Sequence, residues 1–347
     1  MGRLPDDDLA HVLEHTPDVW KSMHGARVFI TGASGFVGSW MLETLNHADV
    51  ALGLNVRVHA LVRDRAAFER RLPHLAASKS LTLETGDVRF VNPPPQAFTH
   101  FVHCASASSP ALNAERPDEV VDIVERGSEQ IIAAAERSAN VRFLQVSSGS
   151  VYGAQPAGVE RLSEESGLCA DAADPTQRFG AAKLRAERRG ERAAANGLGF
   201  VSARIFALVG PRLPLDGQFA LGQFLGDAVA GRPVHLTGDG TPVRSWLYAA
   251  DMAAWCWTLL VRGRAGAAYN VGSEEALSLW DAAQRVAALA PPVRAERAHQ
   301  PTPGMNASRF VPSVERARSE LGLDAWIPFD ESVRRTLRWA RQERAAA

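Results

Sequence analysis

The sequence predicts an α/β protein, a doubly wound parallel sheet with a smaller C-terminal lobe, and three observations carry that reading. Short runs rich in Val, Ile and Phe alternate with stretches of helical period, the pattern of strands buried on both faces by crossover helices. The stretch Thr31-Gly32-Ala33-Ser34-Gly35-Phe36-Val37-Gly38 lies between the first such run, Arg27–Ile30, and a segment with Trp40, Met41 and Leu45 at helical spacing. Residues able to do chemistry fall at the ends of successive runs, the edge on which open α/β sheets hold ligands.

The chain of 347 residues is long enough for one large domain or two moderate ones. It divides into an extension (1–24), a dinucleotide-binding part (25–206) and a C-terminal lobe (207–347) partly interleaved with it. Lys and Arg number 38 against 39 Asp and Glu, so there is no basic excess to suggest nucleic acid as a partner. Cys104, Cys169 and Cys256 are far apart and not in a metal-ligand spacing, which points to free thiols, a reducing compartment and no metal site. No apolar run is long enough to span a bilayer and the start is acidic. The expectation is therefore a cytoplasmic protein without a membrane partner.

The extension carries Leu9, Val12, Leu13 and Trp20 at amphipathic spacing, with no role legible. In the glycine-rich turn, Gly32 permits a sharp turn off the strand, Gly35 lets backbone approach a pyrophosphate, and Gly38 lets the helix pack close. The helix start then offers free N–H groups to phosphates, beside Ser34, Phe36 and Val37. The second strand, Val56–Val62, ends in Arg63-Asp64. A carboxylate there accepts from a free ribose 2′-hydroxyl and an arginine suits a 2′-phosphate, so the cofactor is NAD or NADP, with Arg63 leaning toward NADP.

A third strand, Leu81–Leu83, delivers Asp87 and Val88 to the adenine position. The fourth, His100–Cys104, delivers Ala105 and Ser106 to the middle of the dinucleotide. Pro93-Pro94-Pro95 makes a loop between them. A helix over Pro117–Arg137 returns the chain, and strand five, Val141–Val146, ends in Ser147-Ser148-Gly149-Ser150-Val151-Tyr152-Gly153. About thirty residues on, Phe179-Gly180-Ala181-Ala182-Lys183 opens a helix whose positions i and i+4 share a face.

The glycine-rich turn, the Ser147–Gly153 segment and the aromatic-x-x-x-Lys of Phe179–Lys183 resemble the extended short-chain dehydrogenase/reductase family, in particular nucleotide-sugar epimerases and dehydratases. The resemblance continues through Arg204–Pro211, Gly238–Trp246 and Tyr269-Asn270-Val271-Gly272 and covers most of the chain. It implies a Rossmann-like fold whose C-terminal lobe binds substrate, a nucleoside-diphosphate sugar. It implies that Val146, Phe206, Leu208 and Lys183 lie beside the cofactor and Ser148, Gly149, Ser150, Ala207 and Arg244 beside the substrate. A homodimer through the helices near Pro117–Arg137 and Phe179–Asn196 is implied as well.

In that family a serine, a tyrosine and a lysine cooperate: tyrosine takes the proton from a sugar hydroxyl, lysine lowers its pKa and holds the nicotinamide ribose, and serine bonds the reacting oxygen. Ser148 and Lys183 match two of the three, but Phe179 occupies the tyrosine position. An engineered replacement, a natural variant using another group and a protein that binds without reacting all stay open. The resemblance also places an Asp-Glu pair after the serine in 4,6-dehydratases. Here Gly149 and Ser150 stand there, which favours a C4 epimerase, leaves a uronic-acid decarboxylase open and disfavours a dehydratase. A keto-sugar reductase and a non-catalytic NADP sensor are the remaining alternatives. In the lobe, Gln218–Ala230 reads as a helix, Arg244 suits a diphosphate, Asp251 is expected to cap the next helix, and Arg309 near Pro303–Asn306 is a loose second arginine.

Overall fold

The computed structural model describes residues 2–93, 98–106, 112, 115–216, 219–302 and 307–346. Its strands, in chain order, are β1 (Arg27–Thr31), β2 (Arg57–Val62), β3 (Leu81–Thr85), β4 (His100–His103), β5 (Arg142–Ser148), β6 (Gly199–Ile205) and β7 (Leu208–Val209). There follow β8 (Val234–Leu236), β9 (Val243–Arg244), β10 (Leu247–Tyr248), β11 (Ala268–Val271), β12 (Leu277–Ser278), β13 (Ala295–Arg297) and β14 (Arg309–Phe310). Seven of them form one sheet in the order β3-β2-β1-β4-β5-β6-β11, and every neighbouring pair is parallel. The chain starts in the middle, winds out to β3 and returns across β1 to build the other side, so the switch of direction lies between β1 and β4. That is where a doubly wound sheet opens a crevice.

An aromatic row fixes the register. Phe29, Phe101, Phe143 and Phe200 are paired residue to residue across β1, β4, β5 and β6, with ring centroids 5.6, 6.0 and 5.5 Å apart. Because a one-residue slip would turn each ring to the opposite face, the row holds the strand ends of β1, β4 and β5 level. Helices Pro117–Glu136 and Arg178–Ala195 cover one face side by side. Arg178–Asp118, Arg185–Glu125 and Arg189–Glu129 pairs rung them together, exposed contacts that contribute little stability.

The lobe adds three small sheets: β7 with β10, β12 with β9 and β14, and β13 with β8. Its helix Ala220–Val229 falls within the expected Gln218–Ala230, and Gln218 lies outside the described residues. Asp251 does not cap helix Ala249–Arg262. It sits inside the first turn, and its carboxylate instead accepts from His11 Nε2 at 2.7 Å and the Ile327 amide at 3.0 Å. The extension forms helices Asp6–His15 and Pro17–Ser22, and Leu9, Val12, Val19 and Trp20 are buried in the main core. Among the described residues, no helix is long and apolar enough to cross a membrane, and no cluster of His, Cys, Asp or Glu could hold a metal ion.

Candidate active site

Three strand ends and two helices converge at the crevice. At the end of β1 the chain turns through Gly32, φ +68°, where an added Cβ would lie 2.7 Å from the Ala105 amide nitrogen. A side chain is excluded there by both space and conformation. Gly35 precedes helix Phe36–Leu52 in extended geometry, and its amide donates to the Gly32 carbonyl at 3.0 Å. A Cβ on Gly38 would collide with the Gly32 carbonyl. Turn and helix therefore close on each other only because all three positions lack side chains, leaving the first-turn amides of Phe36 and Val37 without intrahelical acceptors. A cradle of this kind seats a pyrophosphate. Gly38→Ala is expected to abolish NAD binding by calorimetry while the protein stays folded by circular dichroism; unchanged affinity would remove the cradle from the site.

The floor is tied by a relay of hydrogen bonds. Thr31 Oγ1 accepts from the Ala105 amide at 3.1 Å and lies 2.7 Å from His103 Nδ1; His103 Nε2 lies 3.3 Å from Ser128 Oγ. Burial pushes His103 down to about 3, so it is neutral at working pH and bridges two hydroxyls. Beside it, the Ser106 hydroxyl is buried with no partner among the described residues. A polar atom left in that state is one a ligand can satisfy.

At the end of β5, Ser148 Oγ accepts from the Ser150 amide at 3.1 Å and lies 3.1 Å from Ser150 Oγ. Gly149 is buried, and a Cβ there would meet the Phe206 ring at 2.9 Å. Gly180 brings helix Arg178–Ala195 onto the Ser150 carbonyl, which a side chain would strike. One turn further, the buried Lys183 donates to the Val146 carbonyl at 2.8 Å, and burial pulls it down to about 8. Its nitrogen lies 5.8 Å from the centre of the Phe179 ring, which packs with Val121, Val124, Ala182 and Ala186. The structure thus gathers Gly32–Val37, Ala105, Ser106, Val146, Ser148, Phe179 and Lys183 on one edge.

Other expected residues have further duties. The Asp87 carboxyl is held below the usual range by Arg89, 2.6 Å away, with help from Arg63, and Arg89 also bonds Asp122 at 2.9 Å. Val88 is buried against Gly127. Arg63 is exposed, whereas Asp64 caps the following helix by accepting from the Ala67 amide at 2.9 Å. Asp64 is therefore already engaged at the β2 end. Phe206 packs on Phe310 at 4.9 Å, Leu208 pairs with Leu247, and the Ala207 carbonyl accepts from Leu247 at 3.0 Å.

Arg244 is half-buried and bonds the Val243 and Ser308 carbonyls at 2.8 and 3.2 Å, with no acidic partner among the described residues. Burial lowers its pKa, and an anion would relieve that cost. Arg309 donates to the Glu160 carbonyl at 2.6 Å, and Pro303–Asn306 lie outside the described residues.

Sequence spacing did not single out Glu187. It is fully buried, accepts from Ser147 Oγ, and is paired with Arg204 at 2.7 Å. The only local signal for it was its place one turn beyond Lys183 on the Phe179 face.

A parallel doubly wound sheet with a glycine-lined turn at its switch point, and a serine and a lysine at the neighbouring strand end, defines a protein of the extended short-chain dehydrogenase/reductase class. The chain belongs to the NAD-dependent epimerase/dehydratase family, whose sequence model matches residues 28–272. It is 24% identical over 339 residues to a probable dTDP-glucose 4,6-dehydratase of Sinorhizobium fredii, covering 90% of this chain and 92% of that protein. It is likewise 24% identical over 323 residues to UDP-glucuronic acid decarboxylase 1 of Arabidopsis thaliana, covering 89% and 68%. In fold it is similar to a UDP-glucuronic acid 4-epimerase of Bacillus cereus, solved as a Tyr-to-Phe mutant with UDP-4-deoxy-4-fluoro-glucuronic acid and NAD. That likeness has a TM-score of 0.74 at 18% identity and covers 91% of this chain and 99% of that one.

Proposed function

We propose that this protein is an NAD(P)-dependent nucleoside-diphosphate-sugar epimerase acting at C4 through a transient 4-keto sugar, its cofactor recycled within the site. The observation that carries the reading is Lys183, buried and held by the Val146 carbonyl at 2.8 Å, beneath the strand end that carries Ser148. Family membership supports the cofactor and the sugar-nucleotide class. Gly149 and Ser150 support epimerisation over dehydration, since neither side chain can serve as a carboxylic acid.

In this reading the amides from Gly32 to Val37, with Ser34, hold the pyrophosphate, Asp87 and Val88 the adenine, and Ala105, Ser106, Val146, Phe206 and Leu208 the nicotinamide side. When bound, the cofactor supplies a reversible hydride acceptor. Lys183 presents its donors to the ribose, and Ser148 donates to the reacting oxygen. Arg244 receives the diphosphate, with Ala207, Gly149 and Ser150 along the sugar. Arg63, exposed at the end of β2 beside an Asp64 whose carboxylate is committed to its cap, supports NADP. Two chains pair through helices Pro117–Glu136 and Arg178–Ala195, which light scattering tests as a doubled mass.

Phe179 favours a second reading, a non-catalytic NADP sensor. Calorimetry with UDP-, dTDP- and GDP-sugars separates the two. The epimerase is expected to bind at least one of them, and Arg244→Met to weaken that binding about 10- to 100-fold through loss of charge-assisted bonds. No binding of any sugar nucleotide would leave the sensor.

A further inference from the structure

We propose that Glu187 is the positioning residue of this site, holding the Lys183 ammonium charged and the Ser148 strand end in register with one carboxylate; the inference rests on the reading above. Glu187 and Lys183 share a face of helix Arg178–Ala195, one turn apart. The Lys183 nitrogen donates to a neutral carbonyl, which cannot balance a buried charge. The groups acting on it are the Cys104 thiol, Glu187 and, across the crevice floor, His103. Burial pushes Cys104 up to about 12 and His103 down to about 3, so both are neutral at working pH. Among the described residues, Glu187 is the one anion left to support the ammonium.

The same carboxylate anchors the strand. Ser147, next to Ser148, donates its hydroxyl to Oε1, while Arg204 from β6 donates Nε to both oxygens and Nη2 to Oε2 at 2.7 Å. Arg204 continues to the Tyr152 hydroxyl at 2.9 Å, and Tyr152 donates to Asn270 Oδ1 at 2.8 Å. Asn270 on β11 reaches the Leu162 and Ser313 carbonyls at 2.8 and 2.9 Å, and its amide donates to Glu164. A continuous chain of buried polar contacts thus runs from the Ser148 strand end into the lobe, and Glu187, one helical turn from Lys183, is its start. Glu187 is ion-paired with Arg204 while Lys183 stands one turn away on the same helix, and the positive charge that this leaves at Lys183 suits an oxygen about to lose its proton.

The protein contains three lysines, Lys21, Lys79 and Lys183, and the first two are exposed. Full-length protein labelled with 13C at lysine Cε therefore gives three signals, the buried one assigned by its loss in Lys183→Met. Lys183 is expected to titrate below the two surface lysines, and Glu187→Gln to move its midpoint down by about one pH unit or more, the effect of removing a nearby opposite charge. NADH affinity, followed by fluorescence, is expected to weaken in step above that midpoint and to match the unmodified protein below it.

Should the single variant fail to fold, Glu187→Met with Arg204→Met removes both buried charges, a replacement cores often accept, and is expected to lower the midpoint likewise. A midpoint unmoved in the folded variants, or affinity lost equally at every pH, overturns the inference. Absence of NADH binding in the unmodified protein would instead refute the proposed function, and the lysine titration would still decide the role of Glu187.

Discussion

Phe179→Tyr is expected to raise the rate of sugar-nucleotide interconversion about 10²- to 10⁴-fold, the contribution typical of a positioned general base. The variant adds one oxygen to a ring already placed by Val121, Val124, Ala182 and Ala186, so the packing that fixes its direction is unchanged. Lys183, 5.8 Å from the ring centre, is close enough for its charge to favour the phenolate. Ser148, released from nothing stronger than a neighbouring serine, can donate to the same substrate oxygen. With phenylalanine in place that oxygen has no adjacent phenol to receive its proton.

Product is followed by NMR over a panel of nucleotide sugars, with cofactor affinity measured in parallel. The gain should appear as turnover, with affinity for NAD unchanged within about twofold, because a factor of two is only ~0.4 kcal/mol. A variant that binds cofactor and sugar nucleotide yet gives no isomerised, oxidised or decarboxylated product would refute the epimerase reading and leave the sensor.

How far the site could be read from the chain depended on how local its geometry is. The turn Gly32–Gly38 is legible because strand, glycines and helix are contiguous, and each glycine answers to a contact within the same stretch or with Ala105. Ser148 and Lys183 are legible because each ends or opens an element whose period is visible. The pairing of Glu187 with Arg204 was not: one faces inward from a helix and the other from β6, and each alone looks like an ordinary charge. Asp64 illustrates the converse. Its type and position suit a ribose hydroxyl, but the first turn of the next helix takes its carboxylate, since Asp is a favoured N-cap. Asp251 was misread for a related reason: the helix begins before it, and the partners that claim its carboxylate, His11 and Ile327, are 240 and 76 residues away.

That distance is also why the extension had no legible role, and it leads to the second large effect: deleting residues 2–24 is expected to prevent folding rather than trim an appendage. Trp20 packs on Trp257 with ring centres 5.6 Å apart, and Leu9, Val12, Val19 and Met23 complete the same core. The side chains alone do not decide the matter, because a truncated chain also escapes the cost of ordering those residues, about 1–2 kcal/mol each. What decides it is what stays behind. Asp8 is buried and accepts from the Tyr248 hydroxyl at 2.7 Å and from Arg335 at 2.8 Å, so Tyr248 loses its acceptor and Arg335 is left with Glu331 at 2.9 Å. Asp251 loses His11, which offsets the burial that already raises its carboxyl.

Leaving a buried polar group without its partner typically costs about 1–3 kcal/mol, which applies to both Tyr248 and Asp251, and the apolar surface of helix Ala249–Arg262 would be opened to water beside them. Against a total stability of ~5–15 kcal/mol, these losses together leave little or nothing. Point variants separate packing from truncation: Trp20→Ala should lower the unfolding free energy by about 3–5 kcal/mol, while the adjacent exposed Lys21→Ala should change it by no more than ~0.5 kcal/mol. Urea unfolding followed by tryptophan fluorescence reads both. A truncated chain that unfolds at the midpoint of the full protein would show that the extension's contacts contribute nothing, and with it that the Asp8 and His11 anchors hold no part of the lobe.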